Sequence, residues 1–148
     1  MDKTFLASNQ RQLERLRQLA GAMTDEELVS PMPAGWTPAS VLAHLAFWDR
    51  RALLLIDQWK QSGFRESSID TDLINEVTRA FFISLPPREA VRLALENAEA
   101  IDQALAGLDD AFLEGMTAQG RAVQIDRGRH RAGHLDEIAQ TLKSHHAK

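Results

Sequence analysis

The sequence predicts an all-α protein, a four-helix bundle with a long crossover between its second and third helices. Apolar residues recur three and four positions apart along most of the chain, which is the period of an amphipathic helix. Runs that alternate in the manner of a β-strand are nearly absent, and residues 122–125 are the only strand candidate. A length of 148 residues fits one domain, so we predict a single helical-bundle domain over residues 1–148.

The first two long helices are marked by their apolar faces and by the residues at their ends. Residues 3–22 form the first, with charged side chains on much of the remaining surface. The spacing from Thr24 to Glu27 is that of a capping box, which begins a short extra turn. At Thr37 a side-chain cap precedes a proline, so the second helix starts there and ends near Gly63. The apolar face of this second helix comprises Val41, Leu45, Trp48, Ala52, Leu55 and Trp59.

The second half of the chain holds the crossover and two further long helices. A shorter crossover helix is predicted within residues 67–84, and Pro86 introduces the third long helix, which runs to Leu108. Residues 109–122 contain two glycines and are predicted to form a loop. The fourth long helix begins within residues 121–127. The apolar residues that define the crossover helix are Leu73, Val77 and Phe81.

Composition restricts the class of function. The chain has no cysteine, which excludes disulfides, thiolate metal sites and a cysteine nucleophile. Its formal net charge is −4, which argues against a nucleic-acid partner. The N-terminus turns polar too early for a signal-peptide core, and no apolar run is long enough for a membrane span. These features predict a cytoplasmic protein with no membrane partner.

Three of the five histidines are placed to share a metal ion. His130 and His134 are four residues apart, so on a helix they lie one above the other. His44 lies beside the apolar stripe of the second helix and faces the bundle interior. One divalent ion would satisfy all three imidazoles, whereas the alternative is a separate carbonyl or carboxylate partner for each ring. His145 and His146 lie in the C-terminal tail and are expected to be exposed.

Three segments of the chain share the motifs of one family. Residues 35–49 begin with Gly-Trp-Thr-Pro and contain His44, residues 130–138 contain the HxxxH pair, and residues 70–75 run from an acidic stretch to an asparagine. In this order and spacing the chain resembles the DinB/YfiT-like family of bacterial metalloproteins. Its last motif departs from the family's usual His-Arg-Gly-Gln-Ile, since here it reads His134-Leu-Asp-Glu-Ile. The departure leaves the metal-binding histidine in place and affects only the assignment of the chain to a branch of the family.

The resemblance implies a fold, a cofactor and several activities. It implies an up-down-down-up bundle, often a homodimer, in which a histidine triad binds zinc or nickel. Relatives include thiol-dependent transferases and isomerases, a branch that hydrolyses a strained ring, and members with no known activity. A small-molecule substrate and a low-molecular-weight thiol are therefore the partners that the resemblance suggests.

Two carboxylates are candidates to assist a metal centre. Three neutral imidazoles leave a coordination position open, which is typical of a catalytic site. Glu137 is three residues after His134, where it would orient that ring or act as a base, unless it is only a solvated surface group. Asp126 is four residues before His130 and would either join the site or cap the helix.

Candidate substrate-binding residues come from the crossover, the second helix and the last helix. Arg127 is three residues before His130 and is the best placed to meet an anionic substrate group. Asp72 and Asn75 share one face of the crossover helix, although Asn75 also suits a hydrogen-bonding brace. Trp48 is predicted either to form a wall of the pocket or to pack in the core. The same two alternatives hold for Trp36, near the mouth of the pocket. A solvated arginine face is the default interpretation for the other nearby arginines, Arg121, Arg129 and Arg131.

The sequence therefore leaves three functional hypotheses open. The first is a metal-dependent enzyme, a hydrolase or a thiol-dependent transferase, that acts on a small molecule through His44, His130 and His134. The second is a non-catalytic metal-binding or stress-related small-molecule-binding protein. The third is a metal-free helical interaction module whose histidines only bracket the core.

Overall fold

Seven α-helices make up most of the described chain, which is residues 1–120 and 123–147 of a computed structural model. The all-α prediction is confirmed for these residues, which contain no strand. Within residues 122–125, the strand candidate, residues 123–125 are irregular and residue 122 lies outside the described residues. The helices are α1 Thr4–Ala22, α2 Asp25–Leu28, α3 Pro38–Ser62, α4 Thr71–Ile83, α5 Pro87–Ala106, α6 Asp110–Ala118 and α7 Arg127–His146.

The four longest helices pack against one another and enclose the core. Helix α3 packs mainly on α5, and α1 packs on α7 and α5. The first turns of α3, from Pro38 to Ala46, are buried almost without interruption. This part of α3 therefore places each of its side chains, including His44, inside the protein rather than on its surface.

The start of α3 follows the predicted capping pattern. The Thr37 side chain accepts a hydrogen bond from the Ser40 backbone, and the Ser40 hydroxyl accepts one from the Thr37 backbone at 2.8 Å. Pro38 occupies the first helical position, where its missing N–H costs nothing. The same reciprocal arrangement joins Thr24 and Glu27 at the start of α2. Both starts agree with the sequence-based prediction.

The predicted loop over residues 109–122 is wrong in its first part, because Asp110–Ala118 is helix α6. The Asp109 carboxylate accepts a hydrogen bond from the Phe112 backbone at 2.8 Å, and Leu113 and Met116 are buried. Gly115, which suggested a break, lies within the helix, and its lack of a side chain leaves room for the Phe64 ring, since a Cβ there would come within 2.2 Å of that ring. Residues 121 and 122 lie outside the described residues.

Helix α4 is the least enclosed of the long elements. None of its residues is fully buried, and it packs mainly against α3. Its outward side carries an apolar stripe of three exposed residues, Leu73, Val77 and Phe81. In the described part of the chain no helix combines the length and the apolar character that a membrane span needs.

Candidate metal centre

Two helices bring three histidines together. His44 is on α3, and His130 and His134 are one turn apart on α7. One ring nitrogen from each lies within 4.8 Å of the corresponding nitrogens of the other two. The distances between ring centroids are 5.5 Å for His44 and His130, 4.7 Å for His44 and His134, and 5.0 Å for the pair on α7. Three imidazole nitrogens at this spacing can hold one metal ion.

The hydrogen bonding of the histidines fits a metal ion better than separate protein partners. His44 Nδ1 and His134 Nδ1 are buried, and neither has a hydrogen-bond partner among the described residues. A buried nitrogen without a partner destabilises the protein by an amount comparable to a lost hydrogen bond. A cation bound by either ring nitrogen would give each imidazole the partner that the protein does not supply. The donor set, all nitrogen, suits zinc and nickel.

The electrostatic environment keeps two of the site histidines, His44 and His130, neutral. Burial is the main cause that lowers the pKa of His44 to about 4, and the nearby His134 and Arg127 contribute to the same shift. Burial also lowers the pKa of His130 to about 2, with Arg127 as the next cause. Both imidazoles are therefore unprotonated at neutral pH, which is the form that binds a metal.

A buried network of charges lies beside the histidines. The Asp49 carboxylate on α3 accepts a hydrogen bond from Arg127 Nε at 2.8 Å and lies 3.5 Å from Arg131 Nη2. Arg131 also donates to both carboxylate oxygens of Asp102, at 2.8 and 2.7 Å. Burial raises the pKa of Asp49, and the two arginine charges oppose that rise. The network ties the first turns of α7 to α3 and α5, and so fixes the position of His130.

Arg127 reaches from this network to the edge of the histidine cluster. Its Nε bonds to Asp49, and its Nη2 lies 3.4 Å from His130 Nδ1. The side chain is 7% exposed and lines the cavity in front of the histidines. The structure thus places the predicted anion-binding residue next to the candidate metal centre.

A cavity of about 1010 Å³ opens in front of the three histidines. This is at the upper end of the size of small-molecule sites. Trp36 and Trp48 flank His44, with ring centroids 5.6 and 6.4 Å from that of the imidazole. Both tryptophans line the cavity, so they form its wall as well as part of the packing around His44.

The candidate residues on α4, Asp72 and Asn75, also line the cavity. Trp48 Nε1 donates to Asn75 Oδ1 at 2.9 Å, which joins α3 to α4, so Asn75 acts as the brace that was one of its two predicted roles. Asp72 is exposed at the outer part of the same wall. Glu137 lies with its Oε1 3.5 Å from His134 Nδ1 and a side chain that is 58% exposed.

Asp126 takes the capping role rather than a role in the metal centre. Its carboxylate accepts hydrogen bonds from the Arg129 backbone at 2.9 Å and from the Ser8 hydroxyl at 2.8 Å. It is the N-cap of α7, and the structure places only the three histidines in a group able to hold an ion within the described residues.

The interpretation of Arg131 as a solvated residue is wrong, because its side chain is fully buried. Its partner Asp49 was missed as a functional candidate, although an aspartate amid the apolar residues of a helix signals a buried charge that needs a partner. Arg127 and Arg131, four residues apart on α7, are the matching signal. Arg129 is exposed, as predicted, and Arg121 lies outside the described residues.

The fold and the site together define a class: an all-helical protein with a candidate three-histidine metal centre at one side of its core. The sequence matches the family model of the DinB superfamily over residues 9–146, so the chain belongs to that superfamily. Searches of curated proteins and of solved structures each found no match.

Proposed function

We propose that the protein is a metal-dependent enzyme that acts on a small molecule, by hydrolysis or by transfer to or from a low-molecular-weight thiol. The observation that carries the proposal is that the three histidines converge at the wall of a cavity. With only three protein ligands, a metal ion bound there would have a coordination position available for water or substrate. The up-down-down-up arrangement of a four-helix bundle with a crossover is proposed for the fold as well.

Other residues of the cavity would assist the metal ion in the reaction. A divalent ion held by His44, His130 and His134 would supply a positive charge that lowers the pKa of a bound water molecule or stabilises a thiolate. Glu137, beside His134 and open to solvent, would accept or return a proton at its carboxylate. Trp36 and Trp48 would exclude water from the reacting groups, and Asn75 keeps the crossover helix in place against Trp48.

Metal content is the first test. Protein purified without an affinity tag is analysed by mass spectrometry for zinc, nickel and other divalent metals. We expect about one ion per chain, zinc or nickel, and its loss in His44→Ala and His134→Ala. His145→Ala, which changes a histidine outside the site, is the matched control and retains the ion. Substoichiometric metal that neither site substitution changes would overturn the three-histidine assignment.

Turnover is the second test. A panel of thiol conjugates and strained-ring electrophiles is incubated with the metal-loaded protein, and product is measured by mass spectrometry. Activity that His44→Ala and His134→Ala abolish supports the enzyme proposal, and activity that survives both excludes the metal as catalyst. Retained metal without turnover of any compound favours the second candidate, a non-catalytic metal-binding or stress-related protein. That candidate is supported by the exposure of Glu137, since bulk water reaches the one carboxylate that would have to transfer a proton in the proposed enzyme.

We further propose that the protein forms a homodimer. The support is the exposed apolar stripe on α4, where Leu73, Val77 and Phe81 are 58, 53 and 70% exposed. Such a stripe on a helix that packs mainly on one neighbour is typical of a surface that another chain covers.

A further inference from the structure

Helix α4 turns a polar face toward the cavity and an apolar face toward solvent. The cavity side carries Thr71, Asp72, Asn75, Glu76 and Arg79. The outer side is the exposed apolar stripe described above. A helix that the core holds in place turns its apolar face inward. Apolar burial therefore contributes little to keeping this wall of the cavity closed.

The two ends of α4 are attached differently. At the C-terminal end, Phe82 and Leu85 pack against the core, and the centroid of the Phe82 ring lies 5.8 Å from that of Phe47. At the N-terminal end, α4 follows an irregular link over residues 63–70. A helix that is anchored at one end and joined through an irregular link at the other can pivot about its anchor, as hinged segments do.

Two side chains of α4, Asn75 and Arg79, form hydrogen bonds to other parts of the cavity wall. The bond from Trp48 to Asn75 joins the middle of α4 to α3. Nearer the anchored end, Arg79 Nη1 donates to the backbone oxygen of Ala34 at 2.8 Å, which joins α4 to the turn before α3. Arg79 also pairs with Glu76, one turn earlier on α4, and this pair helps to orient the guanidinium group.

The turn that Arg79 contacts presents Trp36 to His44. Ala34 and Gly35 have left-handed backbone conformations, with φ angles of 60° and 82°. An alanine is disfavoured in this region because of its Cβ, and it stays there only where its surroundings hold it. The bond from Arg79 to the Ala34 carbonyl is one such contact. The turn places the centroid of the Trp36 ring 5.6 Å from that of His44, which is only 6% exposed.

We infer that Arg79 is a positioning residue whose bond to Ala34, here called the latch, ties α4 to the turn of Trp36 and so controls the access of a substrate to the three histidines. With the latch closed, α4 and Trp36 cover His44. With the latch open, α4 pivots about its anchored end, the turn is released, and a small molecule enters from the outer side of the cavity. A single hydrogen bond from a side chain that is 29% exposed contributes little stability, so the latch opens without unfolding of the core. This inference rests on the proposed function, because it assigns the control of access to that same site.

The reactivity of His44 in the metal-free protein tests the latch. Diethyl pyrocarbonate acylates unprotonated imidazoles, and its rate of reaction at each histidine of chelator-treated protein is measured at neutral pH by peptide mass spectrometry. We expect Arg79→Met, which keeps an extended side chain but has no donor, to raise the rate at His44 by about fivefold. The rate at His145, which lies outside the cavity, should not change. Equal rates at His44 in the wild type and Arg79→Met would overturn the inference.

Two further variants identify the bond that is responsible. Arg79→Lys keeps the charge and a donor, and is expected to raise the rate at His44 less than Arg79→Met does. Arg92→Met on α5 is the matched control, because Arg92 pairs with Glu89 at the same spacing and its ion pairs lie within its own helix among the described residues. This control should leave the rate at His44 unchanged. A rise in Arg92→Met equal to that in Arg79→Met would attribute the effect to the loss of a surface ion pair and reject the latch.

Hydrogen exchange followed by mass spectrometry separates opening of the latch from a general loss of stability. Arg79→Met is expected to speed the exchange of backbone amides in α4 and in residues 32–36, while α5 keeps its wild-type rate. Faster exchange in all three segments alike would mean that His44 reacts through global unfolding, and this outcome would overturn the inference.

The two proposals can fail separately. A faster reaction of His44 in Arg79→Met, in a protein that takes up no metal, would keep the latch and reject the metal-dependent enzyme. Stoichiometric metal, together with equal rates at His44 in the wild type and Arg79→Met, would reject the latch and leave the metal centre in place.

Discussion

At the scale of single residues, Asp49 is the carboxylate on which the position of Arg127 depends. It is 2% exposed, and its loss would remove a charged partner from Arg131 and leave Arg127 without one among the residues that the structure describes. We expect Asp49→Ala to lower the free energy of unfolding by about 3–5 kcal/mol, because an unpaired buried charge is strongly destabilising. Urea unfolding followed by circular dichroism measures this.

The control for Asp49 is Asp57→Ala, which removes an exposed aspartate two turns later on the same helix. This change is expected to alter the free energy of unfolding by less than about 0.5 kcal/mol. If the two substitutions have equal effects, the ion pairs of Asp49 contribute no more than a surface charge does.

The lowered pKa values of His44 and His130 predict that the metal-free protein loses stability in mild acid. Below their ordinary pKa of 6.5 the unfolded chain binds a proton on each histidine, whereas the folded protein binds none until about pH 4 and about pH 2. The contribution of the two neutral histidines to the free energy of unfolding is therefore fully present above pH 6.5 and is lost as the pH falls below that value. In this pH range each histidine adds about 1.4 kcal/mol per pH unit to the slope of the free energy of unfolding against pH.

Urea unfolding with chelator present, at pH values from 7 to 5, tests this pH dependence. His44 and His130 together supply part of this slope, and His130→Gln should remove about half of that part. His145→Gln also removes one histidine, but outside the site, and serves as the control. A slope that His130→Gln leaves unchanged would show that the imidazole is not kept neutral by burial.

The pairing of His130 with His134 could be predicted from sequence because helical spacing determines which side chains share a face. His44 could be added because it faces the bundle interior and because the chain resembles a family with a histidine triad. The charge network could not be predicted, since it depends on which helices become neighbours. Asp49, Asp102 and Arg131 are far apart in the chain, and their pairing requires the packing of α3, α5 and α7.

At the scale of the elements, the first turn of α7 must approach α1 closely to place His130. Gly128 N donates to Asn9 Oδ1 at 2.7 Å, and a Cβ on Gly128 would lie 2.5 Å from the Ser8 backbone oxygen. Gly128→Ala therefore forces α7 away from α1, and we expect a loss of about 1–3 kcal/mol in the free energy of unfolding. Metal affinity should fall as well, because His130 is two residues further along.

Gly133 is the matched control on the same helix. It is exposed, and a Cβ there meets nothing within 4 Å. Gly133→Ala is expected to stabilise the protein by about 0.5–1 kcal/mol through helix propensity alone. Thermal unfolding of the two variants side by side separates the steric effect from propensity, and a stabilised Gly128→Ala would contradict the close approach of α7 to α1.

The long helices were predictable from the period of their apolar residues and from their caps, whereas α6 was not. Its nine residues give too few repeats of the helical period, and Gly115 within it resembles a loop signal. The glycine is explained only by Phe64, which comes from a distant part of the chain and packs on α6. A local pattern cannot show a packing contact of this kind.

At the scale of the whole molecule, α4 has two different faces. Its inner face closes the cavity through Asn75 and Arg79, which bond to Trp48 and to the backbone oxygen of Ala34. Its outer face is the apolar stripe of Leu73, Val77 and Phe81. If the outer face is the contact between two copies, dimer formation also holds the cavity wall in place.

Light scattering after size-exclusion chromatography tests this arrangement with two matched substitutions. Val77→Asp places a charge in the middle of the stripe, and Val29→Asp places the same charge at another valine that is also 53% exposed. We expect a dimer for the wild type and for Val29→Asp, and a monomer for Val77→Asp, because an unpaired carboxylate in an apolar interface is costly. A wild-type monomer, or a dimer that Val77→Asp leaves intact, would exclude the stripe on α4 as the dimer contact.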